Sequence, residues 1–129
     1  MKTCDWNMAV AWLWILFGFA SGFALGLNFH REDWLGGYGS HRRRLYRLAH
    51  ISFFGLAIIN LLFYFTAREF SVTQWQVVAA SRAFIVGAIS MPICCLIMAH
   101  DSKYRTLFVI PVSSLMLGGI LTFWEVIKL

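Results

Sequence analysis

Charge is the scarcest property of this chain. Eleven Lys/Arg and six Asp/Glu make 13% of 129 residues, and 60% are hydrophobic. A soluble domain carries about 25% charged and roughly 45–50% apolar residues. With a mean hydropathy of +0.69, the chain would not stay in water as a monomer. That sets aside a soluble enzyme, a secreted disulfide scaffold and a disordered tail. The pI near 9.5 does not argue for nucleic acid as a partner, because the basic residues border apolar runs rather than cover a soluble fold.

Other shortages narrow the reading further. There are three cysteines, Cys4, Cys94 and Cys95, and no CxxC, so a thiol oxidoreductase or a tetrahedral zinc site finds no support. Vicinal cysteines on a helix point about 100° apart, which leaves Cys94 and Cys95 as small packing residues. The two prolines, Pro92 and Pro111, suggest local bends. No Asp or Glu lies inside any long apolar run. A proton-driven transporter needs a titratable carboxylate at depth, and no internal repeat is evident. No nucleophile–base pair or metal-ligand cluster can be assembled from the sequence, so an independent enzyme is disfavoured.

What is present is four uncharged stretches: Trp6–His30, Leu48–Ala67, Ala83–His100 and Thr106–Trp124, of 25, 20, 18 and 19 residues. A hydrocarbon core about 30 Å thick takes roughly 17–25 apolar residues per helix. In lipid the backbone must satisfy its own hydrogen bonds, so each run should be helical. None alternates as a barrel strand would. The expected fold is all-α: one transmembrane domain over 1–129, an antiparallel bundle of four helices spanning Met8–Leu27, Leu48–Thr66, Ala83–Ala99 and Thr106–Trp124. The first run reads as a retained helix rather than a signal peptide: its core is long, Lys2 is balanced by Asp5, and no clean small-x-small site follows. Before the third span, Val72, Trp75 and Val78 recur at helical spacing among Thr73, Gln74 and Gln76, which predicts a short outer interfacial helix over Phe70–Ser81. Arg82 would then snorkel to the outer boundary.

Orientation follows from Lys and Arg in short loops. The first and third loops hold seven (Arg31, Arg42, Arg43, Arg44, Arg47, Lys103, Arg105), and the opposite side holds four (Lys2, Arg68, Arg82, Lys128). Both termini are therefore expected on the non-cytoplasmic side of an inner (cytoplasmic) membrane. Trp6, Tyr64, Trp75 and Trp124 mark the outer interface, and Trp34, Tyr38, Tyr46 and Tyr104 the inner one. The first inner loop contains Leu35-Gly36-Gly37-Tyr38-Gly39-Ser40, a turn requiring positive φ. It lacks the flanking strand that a nucleotide-binding loop requires.

Two patterns bear on function. Gly18, Gly22 and Gly26 form GxxxGxxxG in the first span, a groove for close helix approach inside the chain or against another protein. Gly118 and Gly119 make a weaker version in the fourth span. Asn60, polar at mid-depth, is expected to hydrogen-bond a neighbouring helix. The four histidines, His30, His41, His50 and His100, all fall on the inner side. His50 and His100 sit at matching depth on adjacent spans, and His50 shares a face with Ala57, Asn60 and Tyr64. They could ligate a b-type haem or related tetrapyrrole, with Arg43, Arg44 and Arg47 meeting its propionates. The plainer alternative makes the histidines interfacial anchors and the arginines contacts for lipid headgroups. Size and helix count resemble the membrane anchor subunits of some respiratory dehydrogenases, but no motif carries over. The leading expectation is a small non-catalytic subunit of a larger membrane complex, such as an electron-transfer assembly, with the bilayer and other subunits as partners and no metal. The tetrapyrrole-binding anchor is the alternative.

Overall fold

The computed structural model describes residues 4–70 and 74–128. It is all-helical, with four long apolar helices, each of a length and composition to cross a membrane. They are α1 (Asp5–Gly26), α2 (His41–Ala67), α3 (Trp75–His100) and α4 (Val109–Val126). A 3₁₀ turn, Trp34–Gly36, interrupts the first connection, and a 3₁₀ stretch, Ser102–Phe108, leads into α4.

The helices pack in chain order, α1 on α2, α2 on α3 and α3 on α4. Burial follows from that order. In the most apolar eighteen-residue stretch of each helix, 44% of α3 is buried but only 11% of the last helix. The core has two parts. Ala11, Trp14, Leu56, Ala57 and Ala88 join α1, α2 and α3. Cys4, Phe63, Ala67, Phe70, Val77, Ala80 and Phe84 close the end where the chain begins. There, burial and the neighbouring Asp5 charge push the Cys4 thiol pKa upward.

With almost no charge available, polar contacts between helices do the specifying. Asn7, Asn60 and Ser81 are wholly buried. The Asn7 amide donates to Asn60 Oδ1 at 2.8 Å and to the Ser81 carbonyl at 3.2 Å, the Ser81 hydroxyl donates back to Asn7 Oδ1, and Asn60 Nδ2 donates to Leu56 O at 2.8 Å. One knot thus ties three helices.

A proline inside a helix leaves a carbonyl without its helical donor, four residues upstream. Pro92 withholds a hydrogen bond from Ala88 O, and the Trp14 indole of α1 donates to that oxygen at 2.9 Å. Pro111 lies in the first turn of α4, where Leu107 O already accepts a backbone N–H from the 3₁₀ stretch and also takes the Cys94 thiol of α3 at 3.5 Å. The indole thus stands in for the missing backbone donor inside α3. Accordingly α3 runs through Pro92 as one helix.

Small residues receive large ones. A Cβ on Gly87 would lie 2.5 Å from Leu115, and one on Gly118 would lie 2.9 Å from Phe84. The α3–α4 seam is thus a reciprocal lock, reinforced by Ser114 Oγ donating to Ala83 O at 2.7 Å. On α1, Gly18 accepts the Phe54 ring and Gly22 the His50 ring, while Gly26 faces open space. The first two glycines of the stripe are therefore used inside the chain, by side chains rather than by a closely approaching backbone.

Two boundaries differ from the sequence expectation. Trp75–Ser81 is continuous with α3, and Val77, Ala80 and Ser81 are buried in it. These residues face the core instead of lying apart as an interfacial helix; positions 71–73 of that expected helix fall outside the described residues. At the other end, α2 begins at His41, two turns before Leu48. The cause is a cap: Ser40 Oγ accepts from the Arg43 N–H at 3.1 Å, satisfying one of the helix's orphan donors.

Candidate functional site

The richest chemistry collects where α1 ends, α2 begins and α3 ends. The connection from α1 turns through three left-handed residues, Leu35 (φ 56°), Gly36 (84°) and Gly37 (96°). Glycine adopts this region freely, whereas leucine does so at a cost. Leu35 is held there by Ser40, whose hydroxyl donates to Leu35 O at 2.6 Å. The turn folds aromatic residues back over the first turn of α2.

Beneath them lies Arg43, 3% exposed. Its guanidinium carbon is 5.9, 5.6 and 5.3 Å from the ring centres of Phe29, Trp34 and Tyr38. Nη1 donates to Arg31 O at 3.5 Å, and Nε is buried without a partner. Among the described residues no carboxylate pairs with it. The aromatic faces supply the attraction, each worth about 0.5–2 kcal/mol depending on desolvation. Arg47 also lies over Tyr38, at 4.5 Å, and Arg42 Nε donates to Ala99 O, capping the end of α3. Arg44 is exposed. Of the three arginines considered as propionate or headgroup contacts, Arg43 is enclosed by rings and Arg47 stacks on one.

His50 sits one turn below Tyr46, half-buried, with its ring over Gly22 and edge-on to Phe54. Its Nδ1 is 2.9 Å from Ser21 Oγ, and that hydroxyl is 3.1 Å from Gly18 O. A serine hydroxyl has one proton. One proton cannot serve both contacts: donated to Gly18 O, it leaves His50 to donate from Nδ1 and to keep the lone pair on Nε2. Nε2 has no protein partner among the described residues. The other histidines are placed differently. His100 is exposed and joins Tyr46 through Nε2 at 3.1 Å; His30 and His41 are exposed.

The structure thus brings together a serine and a histidine that sequence reasoning had not paired. Twenty-nine residues separate them, and only the register of α1 against α2 shows the contact. The pair lacks what nucleophilic catalysis requires: a third group orienting the base through its other nitrogen. A serine bonded to the carbonyl three residues back is an ordinary helical habit.

Beside His50 is a half-open cavity of about 260 Å³ whose walls include Ser21, Asn28, Trp34, Tyr46, His50 and Phe53. An apolar cavity near 150 Å³ holds one benzene. There is room for one substituted ring and not for a four-ring macrocycle. His50 and His100 also take different partners, Ser21 and Tyr46. On both counts the residues do not fit a tetrapyrrole held between the two histidines. No group of three or more His, Cys, Asp or Glu is arranged to hold a metal among the described residues. Comparison with protein-family models, curated proteins and solved structures finds no match.

Proposed function

We propose that the chain is a small non-catalytic integral membrane subunit that packs within a larger membrane assembly. Its four helices cross the bilayer as an antiparallel bundle, with the Arg42–Arg44 end in the cytoplasm and both termini outside. The seven-to-four distribution of Lys and Arg supports that orientation.

The observation that carries the reading is the one-sided packing of α4. It rests on α3, and its outward face bears Val112, Met116, Ile120 and Phe123 around the bare Gly119, lining a shallow groove. Elsewhere the wholly buried Asn7, Asn60 and Ser81 are taken up by contacts that hold three helices together. A chain with almost no mass outside the bilayer and one lightly supported helix suits a member of an assembly.

A photo-crosslinking residue at Met116 in native membranes tests this. It should give a discrete protein adduct, while the same probe at Ile58, exposed on α2, should give lipid adducts. Lipid adducts alone at Met116, together with migration of the gently solubilised chain at its own mass, would overturn the reading. Reporter fusions after residue 40 and at the C-terminus should report opposite compartments, the first cytoplasmic. A shared compartment would refute four spans, and a cytoplasmic C-terminus would refute the orientation.

A further inference from the structure

The cavity beside His50 has walls of a particular chemical kind. The Asn28 amide nitrogen is occupied by Ala24 O at 3.0 Å, which leaves its oxygen as an acceptor. The Tyr46 hydroxyl is bonded to His100. His50 is oriented by Ser21, and Gly22 gives its ring the space that any Cβ would remove. The Ser21–Gly18 bond favours the tautomer with its proton on Nδ1, which leaves Nε2 an unpartnered acceptor. A fixed ring whose second nitrogen is free is a prepared hydrogen-bond site.

Such a site selects a ligand that donates. Phe53, Trp34 and Tyr46 contribute aromatic surface, the volume admits one substituted ring, and Ala24 and Leu96 are exposed wall residues. They give an apolar tail a way out into the acyl chains. We infer that this cavity binds a lipid-soluble quinol, a single dihydroxy ring with an apolar tail, through a hydroxyl donated to His50 Nε2. The oxidised quinone, which only accepts hydrogen bonds, meets a lone pair at that position and binds less well. The inference does not depend on the chain having protein partners.

The purified full chain in nanodiscs tests it by calorimetry against empty nanodiscs, so that partition into lipid is subtracted. The probes are decyl-hydroquinone kept reduced under argon, its dimethyl ether and decyl-benzoquinone. Decyl-hydroquinone should saturate at one per chain. The ether and the quinone should each bind about tenfold more weakly, the effect of one hydrogen bond. His50→Phe, which keeps a ring against Gly22 and Phe54 but removes Nε2, should bring the hydroquinone down to the level of the ether. Ala24→Trp, at an exposed wall position, should block the cavity and abolish saturable binding without disturbing the fold, which the thermal melt checks independently of His50. No saturable binding to the unaltered chain would overturn the inference. So would equal binding of hydroquinone and ether, which would make the cavity an unselective apolar slot, or binding that survives either substitution.

Discussion

The two ends of the molecule treat polar groups in opposite ways. At the end holding Asn7, Asn60 and Ser81, the side chains are wholly buried and close on one another across three helices. At the other end, Ser21, Tyr46, His50 and Arg43 are also joined to neighbours, yet His50 Nε2 is unpartnered beside a cavity and Arg43 Nε is unpartnered under its aromatic roof. Buried away from water, a satisfied polar cluster stabilises and specifies. An unsatisfied one costs stability unless something binds there. The first end holds the fold together, and the second retains capacity for a ligand.

The comparison breaks most visibly at the closed end. Asn7→Leu should remove the centre of the knot and leave Asn60 Oδ1 without its buried partner. The expected loss is about 2 kcal/mol, from the cost of an orphaned buried group, moderated by the smaller values measured between membrane helices. Unfolding in mixed micelles by SDS would read it. His50→Phe, at the open end, should shift the same midpoint by less than half as much. Equal losses would remove the distinction between the two ends.

The glycine stripe sharpens the contrast along a single helix. Gly22→Leu would drive a side chain into the His50 ring, since even a Cβ comes within 2.8 Å of Cε1. Overpacking of this kind costs about 1–3 kcal/mol. At Gly26 a Cβ meets nothing within 4 Å, and Gly26→Leu should leave the SDS midpoint unchanged. If both substitutions destabilise equally, the stripe serves a contact other than the one with α2.

These effects also mark how far the sequence alone reaches. The four runs were legible because uncharged length dictates helix in lipid, and Ala83–Ala99 lies wholly within α3. The start of α2 was not, because charge marked Leu48 as the edge while the Ser40 cap continued the helix outward to His41. Depth matching put His50 and His100 at one level but carried no rotational information, so it could not show that one faces α1 and the other meets Tyr46. GxxxG identified small residues without naming what fills them. Asn60 stood out because it is alone at mid-depth; Asn7 and Ser81, near helix starts, resembled boundary residues. A proline position was the overlooked signal. Pro92, inside α3, names a carbonyl four residues upstream that must find a donor, so a search for donors at matching depth would have pointed to Trp14.

The thiol at the closed end gives a smaller, pH-dependent effect. Cys4 is 5% exposed, and its pKa is raised by burial first and by Asp5 second. Thiolate is the reactive form, so maleimide labelling of the folded chain should be slow at neutral pH and accelerate as pH rises. Labelling in SDS should be fast at both pH values. Rapid labelling of folded chain at neutral pH, with Cys94 and Cys95 replaced by alanine, would show that this end is open.

The smallest expected effect compares the two proline carbonyls. Ala88 O is buried between α1 and α3 and receives an indole N–H at 2.9 Å, whereas Leu107 O receives a thiol at 3.5 Å. An S–H is a weak donor, and Leu107 O also accepts a backbone N–H in the 3₁₀ stretch, so loss of the thiol leaves it paired. Cys94→Ala should therefore cost no more than about 0.5 kcal/mol, below the usual net value of a hydrogen bond. Trp14→Phe leaves Ala88 O unpaired at depth and should cost about 1 kcal/mol or more. Cys94→Ser supplies a stronger donor at the same position and should recover the loss or exceed the native midpoint. A large loss in Cys94→Ala that serine does not restore would mean that Cys94 matters for its volume.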